Sequence, residues 1–194
     1  MIVNGKIFPV YEVFYIQSML FNCQSAIRSI NYVEKAFAGL PEEVSDDDIA
    51  KLPTRAILNE VQNIVVQGAA LSRYFWPVRN GHEDRAKTLR EALDVIEENP
   101  LREREFRNAI EHFDERLDNY LSSGIVGHIF PEYVGIKPDE DGVQGHYFRA
   151  FFIDSGSFRL LDGEYKMHPI VEEILRLGDI LQEADLNGCM LPRK

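Results

Sequence analysis

A mainly α-helical fold, a bundle of four to five helices followed by a small antiparallel β-hairpin and a C-terminal helix, is predicted by three observations on this chain of 194 residues. Apolar residues recur at intervals of three and four from Val13 to Tyr120, the period of a helix with one buried face. Pro, Gly and Asn interrupt that rhythm where helices are expected to stop and start. From His146 the pattern changes to aromatic, strand-favouring residues placed around two short turn signals.

The length fits one domain with its own core: a helical bundle over residues 10–121, a loop over 122–145, a β-hairpin over 146–167 and a last helix over 169–184. After a short extended start ending at Pro9, the first helix is expected from Tyr11 to Ala38. Val13, Ile16, Leu20, Cys23, Ile27, Ile30 and Phe37 form its inner stripe, and Gly39 stops it. Residues 41–53 read as an acidic connector in which Ser45, ahead of Asp46, Asp47 and Asp48, caps one short turn. The second helix is expected from Thr54 to Phe75, with Ile57, Val61, Ile64, Val65, Leu71 and Phe75 inward. Its Gly68, Ala69 and Ala70 are small enough to admit a neighbouring helix, and Trp76-Pro77 ends it. After the Asn80-Gly81 turn, Ala86, Leu89, Leu93 and Ile96 predict a third helix from His82 to Glu98.

The fourth helix is expected from Pro100 to Leu121. Asn99 can cap it, and Pro100 suits a first turn. Phe106, Ile110, Phe113, Leu117 and Tyr120 form its apolar stripe. On the opposite side Arg107, Asn108, Glu111, His112, Glu115, Asp118 and Asn119 share a face of roughly 140° at the pitch of an α-helix. A face that served solubility alone would be mostly Lys and Glu.

Beyond Leu121, Ser122 to Gly145 is rich in Gly, Pro and Asp and reads as a loop. His146–Asp154 and Ser157–Leu161 are expected to pair through a Ser155-Gly156 turn, and Glu164–Met167 to add a short third strand after Asp162-Gly163. Simple alternation puts Tyr147, Arg149, Phe151 and Ile153 on one face, and Phe148, Ala150 and Phe152 on the other. The last helix, Pro169–Ala184, buries Ile170, Ile174, Leu177 and Leu181.

The formal net charge of −11 sets the chain as a whole against nucleic acid, so any anion-binding surface must be local and DNA is not an expected partner. Only Arg73 to Arg90 runs the other way. Arg73, Arg79, Arg85, Lys87 and Arg90 lie there near Tyr74, Phe75 and Trp76, which suits either a strand-binding patch or the solvated corner between two helices. His82-Glu83-Asp84 and His112-Phe113-Asp114-Glu115 hold metal-ligand residue types without the spacing of a metal site. Neither metal nor cofactor is expected. Cys23 and Cys189 make no disulfide framework, the apolar run after Pro9 is too short to span a membrane, and a cytoplasmic setting is the simplest reading.

Arg107-Asn108-Ala109-Ile110-Glu111-His112, late in a helical chain, resembles the Arg-x4-6-His motif of the HEPN superfamily, over roughly residues 10–121. The resemblance implies an HEPN-like bundle that pairs as a homodimer. It also implies metal-independent endoribonuclease activity on an RNA substrate, with Arg107 and His112 catalytic and Asn108 in support. In that family paired motifs from two protomers cleave through the ribose 2′-hydroxyl. The alternative is a non-catalytic homodimeric interaction or small-ligand-binding module that uses the same helix face for packing.

Overall fold

The computed structural model describes residues 2–3, 6–138 and 142–193, with Ile2, Val3, Lys6, Arg104, Phe106 and Arg107 described by their backbone alone. Two short strands, β1 (Ile2–Val3) and β2 (Lys6–Ile7), precede six helices: α1 (Pro9–Phe37), α2 (Asp46–Ala50), α3 (Thr54–Phe75), α4 (Glu83–Ala92), α5 (Arg104–Glu111) and α6 (Phe113–Ser122). Strands β3 (His128–Gly135), β4 (Gly145–Phe152), β5 (Ser157–Leu160) and β6 (Gly163–Lys166) follow, and then α7 (His168–Leu186). The protein is therefore mostly helical, with a small sheet ahead of its last helix. Two compact units divide it: Met1–Arg28, Val65–Glu103 and Pro169–Lys194 form one, and Ser29–Ile64 with Arg104–His168 the other.

In the first unit the inward stripes behave as their spacing requires. Ile16, Leu20, Cys23, Leu71, Phe75, Leu89, Leu93, Ile174, Leu177 and Leu181 are all buried. Glycines allow close approach to two helices: a methyl on Gly178 would meet Ile27 Cδ1 at 3.0 Å, and one on Gly68 would meet the Leu101 side chain at 3.3 Å. Burial pushes the Cys23 thiol up to about 12, so it is an inert core group. The buried carboxylates of this unit are paired. Glu12 accepts from the Leu191 backbone N–H and from Arg193, and Glu173 accepts from Asn99 and twice from Arg176.

The third helix is shorter than its periodicity suggests. It ends at Ala92 because Asp94 adopts φ +52°, and the Val95 amide reaches back to the Arg90 carbonyl at 2.9 Å. This is a Schellman closure with Asp where Gly is usual, and it leaves Ile96 exposed.

In the second unit, Ser45 caps α2 as expected, in a reciprocal capping box with Asp48. The expected fourth helix, whose residues Pro100–Glu103 belong to the first unit, is broken twice. Pro100–Arg102 forms a 3-10 turn capped by Asn99 Oδ1, Glu103 leaves helical geometry, and α5 then runs only to Glu111 before α6 starts at Phe113. The interval 122–145 contains β3, and the expected hairpin is a four-stranded mixed sheet in the order β3-β4-β5-β6. β3 runs parallel to β4, whereas β4-β5 and β5-β6 are antiparallel. The β4-β5 turn takes four residues, Ile153 to Gly156, and the β5-β6 turn takes two, with Leu161 at φ +54°.

The assignment of faces in β4 also changes. The β3-β4 ladder skips the Pro131/Phe148 pair, since Pro has no amide to give. Across that interruption Tyr147 comes to the same side as Ala150 and Phe152, and the three form a buried cluster with Phe130 and Tyr133 against it. On the other face Phe151 stacks on Phe37 at 5.7 Å, and Arg149 lies 4.1 Å above the Phe113 ring while its Nε donates to Gln62. Both faces of the sheet thus carry large apolar side chains, as its residue pattern requires.

Gly127 leads into β3 with φ +142°, and a methyl there would sit 2.1 Å from the Gln144 carbonyl oxygen. Neither backbone nor carbonyl can yield cheaply, because the His128 amide is bonded to that same oxygen. Gly127→Ala is expected to cost about 2 kcal/mol or more, read from the urea midpoint against the parent.

Candidate functional site

The motif helix is placed by its two ends. The α5 helix packs on β6, and its Ala109 is fully buried while Ile110 is half-buried. The α6 helix is held by Phe113 under Arg149 and by Arg116, whose guanidinium donates to Asp162 at 2.6 Å and to the Tyr165 hydroxyl at 3.4 Å. Burial opposes ionisation of Asp162, but the Arg116 bond outweighs it and holds the carboxyl below its usual range. At the far end of α6, Tyr120 meets His146 Nδ1 at 2.6 Å, while His146 Nε2 lies 3.1 Å from the Val126 carbonyl. A carbonyl only accepts, so Nε2 carries the proton and the Tyr120 hydroxyl donates to Nδ1.

His112 occupies the step between the two helices. Its backbone takes φ −117° and ψ 36°, and its ring makes no capping bond to α6. Backbone bonding still passes through it: its amide donates to the Asn108 carbonyl, and the Arg116 amide donates to the His112 carbonyl. The imidazole is 58% exposed, with Nδ1 3.9 Å from Glu115 Oε2. Asn108 is exposed one turn earlier, and Glu111, Asp114, Glu115 and Asp118 are exposed around the step. Asn108 and Glu111 each already engage a neighbour. The Arg107 side chain lies outside the described residues, so only its helical backbone position is known. The structure brings Asn108 and His112 to one exposed stretch of chain, with acids on both sides, and His112 lines neither of the two cavities described here.

The basic run from Arg73 to Arg90 is used by the fold. Arg85 donates to the Arg73 carbonyl and lies 5.9 Å over the Tyr74 ring, and Arg90 donates to the Phe75 carbonyl. These are the carbonyls that the C-terminal turn of α3 leaves without helical partners. Phe75 and Trp76 are buried. Two of the cations therefore close a helix end, and the nearby aromatics belong largely to the core. Glu83 closes the Asn80-Gly81 turn by accepting from the Gly81 amide at 2.8 Å.

The sequence reading passed over a cavity in the second unit. It has a volume of about 360 Å³ and is walled by Phe130, Tyr147 and Phe152, with His128, Lys137, Gln144 and Arg159 among its polar groups. Its signals were present: alternating aromatics in β3 and β4, and Gly145 beneath Tyr147, where a methyl would stand 2.8 Å from the ring. With β3 read as loop, they had no common face. A larger, shallower groove of about 1050 Å³ runs along α1 in the first unit, beside Phe14, Phe21 and Tyr74. No helix among the described residues is long and apolar enough to cross a membrane.

No family model, curated protein or solved structure matches the chain.

Proposed function

We propose that this protein is an HEPN-like helical domain that acts as a homodimeric, metal-independent endoribonuclease through Arg107 and His112, with Asn108 in support. The observation that carries the reading is the position of His112: an imidazole more than half exposed, at a break between helices, that the fold does not use to cap α6. An imidazole exposed there can reach a bound substrate as a proton donor or acceptor. In the proposed reaction a histidine base takes the proton of a ribose 2′-hydroxyl, which attacks the adjacent phosphorus. The 5′-oxygen of the following nucleotide leaves and is protonated, so the chain breaks without water or metal at that step. Arg107 offsets the charge that accumulates on the phosphate oxygens, and Asn108 orients the same group. Pairing two copies about a two-fold axis supplies two such histidines, one as base and one as acid.

The exposed carboxylates beside His112 favour a second reading, the non-catalytic interaction module, because they oppose phosphate entry. Cleavage of a mixed-sequence single-stranded RNA in chelator separates the two. The parent is expected to cleave, and His112→Ala and Arg107→Ala each to lose at least about 100-fold in rate, with the same sedimentation as the parent. An inactive parent whose His112→Ala variant sediments as a smaller species would establish the module instead.

A further inference from the structure

We propose that the cavity on the β3-β4-β5 sheet is a nucleotide site, taking a base against the outer face of Phe130 and a single phosphate on Arg159. The site lies on different elements from His112 and goes beyond the ribonuclease reading. Its volume of about 360 Å³ falls in the range of small-ligand pockets, about 300 to 1,000 Å³, and is too small for a folded partner. Flatness is built into its walls. Phe130 and Tyr147 stack with an interplanar angle of 10° and centroids 4.9 Å apart, and Phe152 stands edge-on to Tyr147 at 5.5 Å. Tyr147 and Phe152 are buried, and the half-buried Phe130 presents its outer face to a planar ring. Gly145 fixes the arrangement, since any Cβ there would displace Tyr147. Burial pushes the Tyr147 hydroxyl up, so it stays protonated and able to donate.

The two cations of the cavity are not equivalent. Lys137 lies 5.5 Å over Phe152 and is neutralised by Glu164 at 2.8 Å. Arg159 lies 5.6 Å over Tyr147, and its Nε donates to the Leu161 carbonyl at 3.1 Å. That bond orients the guanidinium and leaves its terminal nitrogens without a hydrogen bond or ion pair among the described residues. In a chain of net charge −11, an arginine held by a carbonyl, beside flat apolar walls, matches a ligand that is aromatic at one end and anionic at the other. One available fork suits one phosphate. A triphosphate would add charge that the acidic chain does not offset. Free nucleoside monophosphates and the terminal nucleotide of a single-stranded RNA present the same chemistry.

The test is calorimetric titration of the full chain with AMP, UMP, adenosine, inorganic phosphate and a five-nucleotide RNA. Mononucleotides have no internucleotide bond, so the outcome is independent of cleavage. AMP and UMP should bind with similar affinity, and adenosine and phosphate about tenfold more weakly or worse, since each lacks one of two anchors. Arg159→Lys keeps the charge but not the fork, and Phe130→Leu keeps apolar bulk but not the flat face. Each should lose about tenfold in affinity for AMP, Arg159→Lys while melting like the parent and Phe130→Leu while still folded at the titration temperature by circular dichroism. Binding of the RNA alone, lost in both variants, would assign the site to a strand end. The proposal is overturned if neither mononucleotides nor RNA bind at millimolar concentration, if phosphate binds as tightly as AMP, or if both variants bind like the parent.

Discussion

Phe152→Ala is expected to lower stability by about 3–5 kcal/mol, the largest effect of any single truncation in the sheet. Phe152 is fully buried at the end of β4, 5.5 Å from the Tyr147 ring and 6.1 Å from Tyr133, with the Lys137 ammonium over its face. Removing the ring forfeits its burial and leaves a void, since Tyr147 is already held against Phe130 and Gly145 and cannot move in to fill it. Lys137 also loses its aromatic floor, though not Glu164. For a chain of this size the loss corresponds to a fall in melting temperature of about 6–20 °C. Thermal unfolding followed by circular dichroism checks it. A fall equivalent to less than about 1 kcal/mol would mean that the aromatic cluster does not hold the sheet together.

The second large effect is expected at Glu173. This carboxylate accepts from Asn99 Nδ2 at 2.6 Å and from two nitrogens of Arg176 at 2.7 Å each, and Arg176 in turn donates to the Leu93 carbonyl at 3.0 Å. One carboxylate thus ties α7 to the turn after α4 and to the cap of the 3-10 turn. Glu173→Ala strands the buried Asn99 amide and removes the counter-charge of Arg176. Breaking a fully buried pair costs about 3–5 kcal/mol. The Arg176 side chain is 36% exposed against 10% for Glu173, so water recovers part of the loss, and about 2–3 kcal/mol is expected. Glu173→Gln, which still accepts from Asn99, should lose about half as much. Urea denaturation of the three proteins side by side reads the series. Equal stability of parent and Glu173→Ala would show that the network is not structural.

These effects concern parts of the fold that the sequence disclosed unequally. Thr54–Phe75 was legible to the residue because a long apolar stripe ends at Phe75, just ahead of Trp76-Pro77, and both signals act locally. The break at His112 was not legible from periodicity. Intervals of four, three, four and three survive a change in one ψ angle, so the stripe runs on while the helix does not. Asp114 and Glu115, suited to the first turn of a new helix, were the local sign. The end of α4 was hidden for a related reason: Asp94 takes the left-handed position that a glycine would have announced. β3 was lost to Pro131, which argues against a central strand. β3 lies at the edge of its sheet, where a missing amide is tolerated. Without that strand, Phe130 and Tyr147 had no reason to meet.

At the candidate site the sequence correctly placed Asn108 and His112 on the exposed side of the motif segment. It did not show that His112 would sit between two helices rather than within one. That difference bears on chemistry, since a residue at a helix step projects from a surface that a continuous helix would have made flat.

The chemistry of the RNA ends formed in chelator is the most direct test of the reading. Attack by the ribose 2′-hydroxyl obliges the upstream fragment to end in a 2′,3′-cyclic phosphate and the downstream fragment to begin with a 5′-hydroxyl. Both should appear with the parent and be absent with His112→Ala. Fragments that end in a 3′-hydroxyl and begin with a 5′-phosphate, or intact RNA after incubation with the parent, would contradict the account.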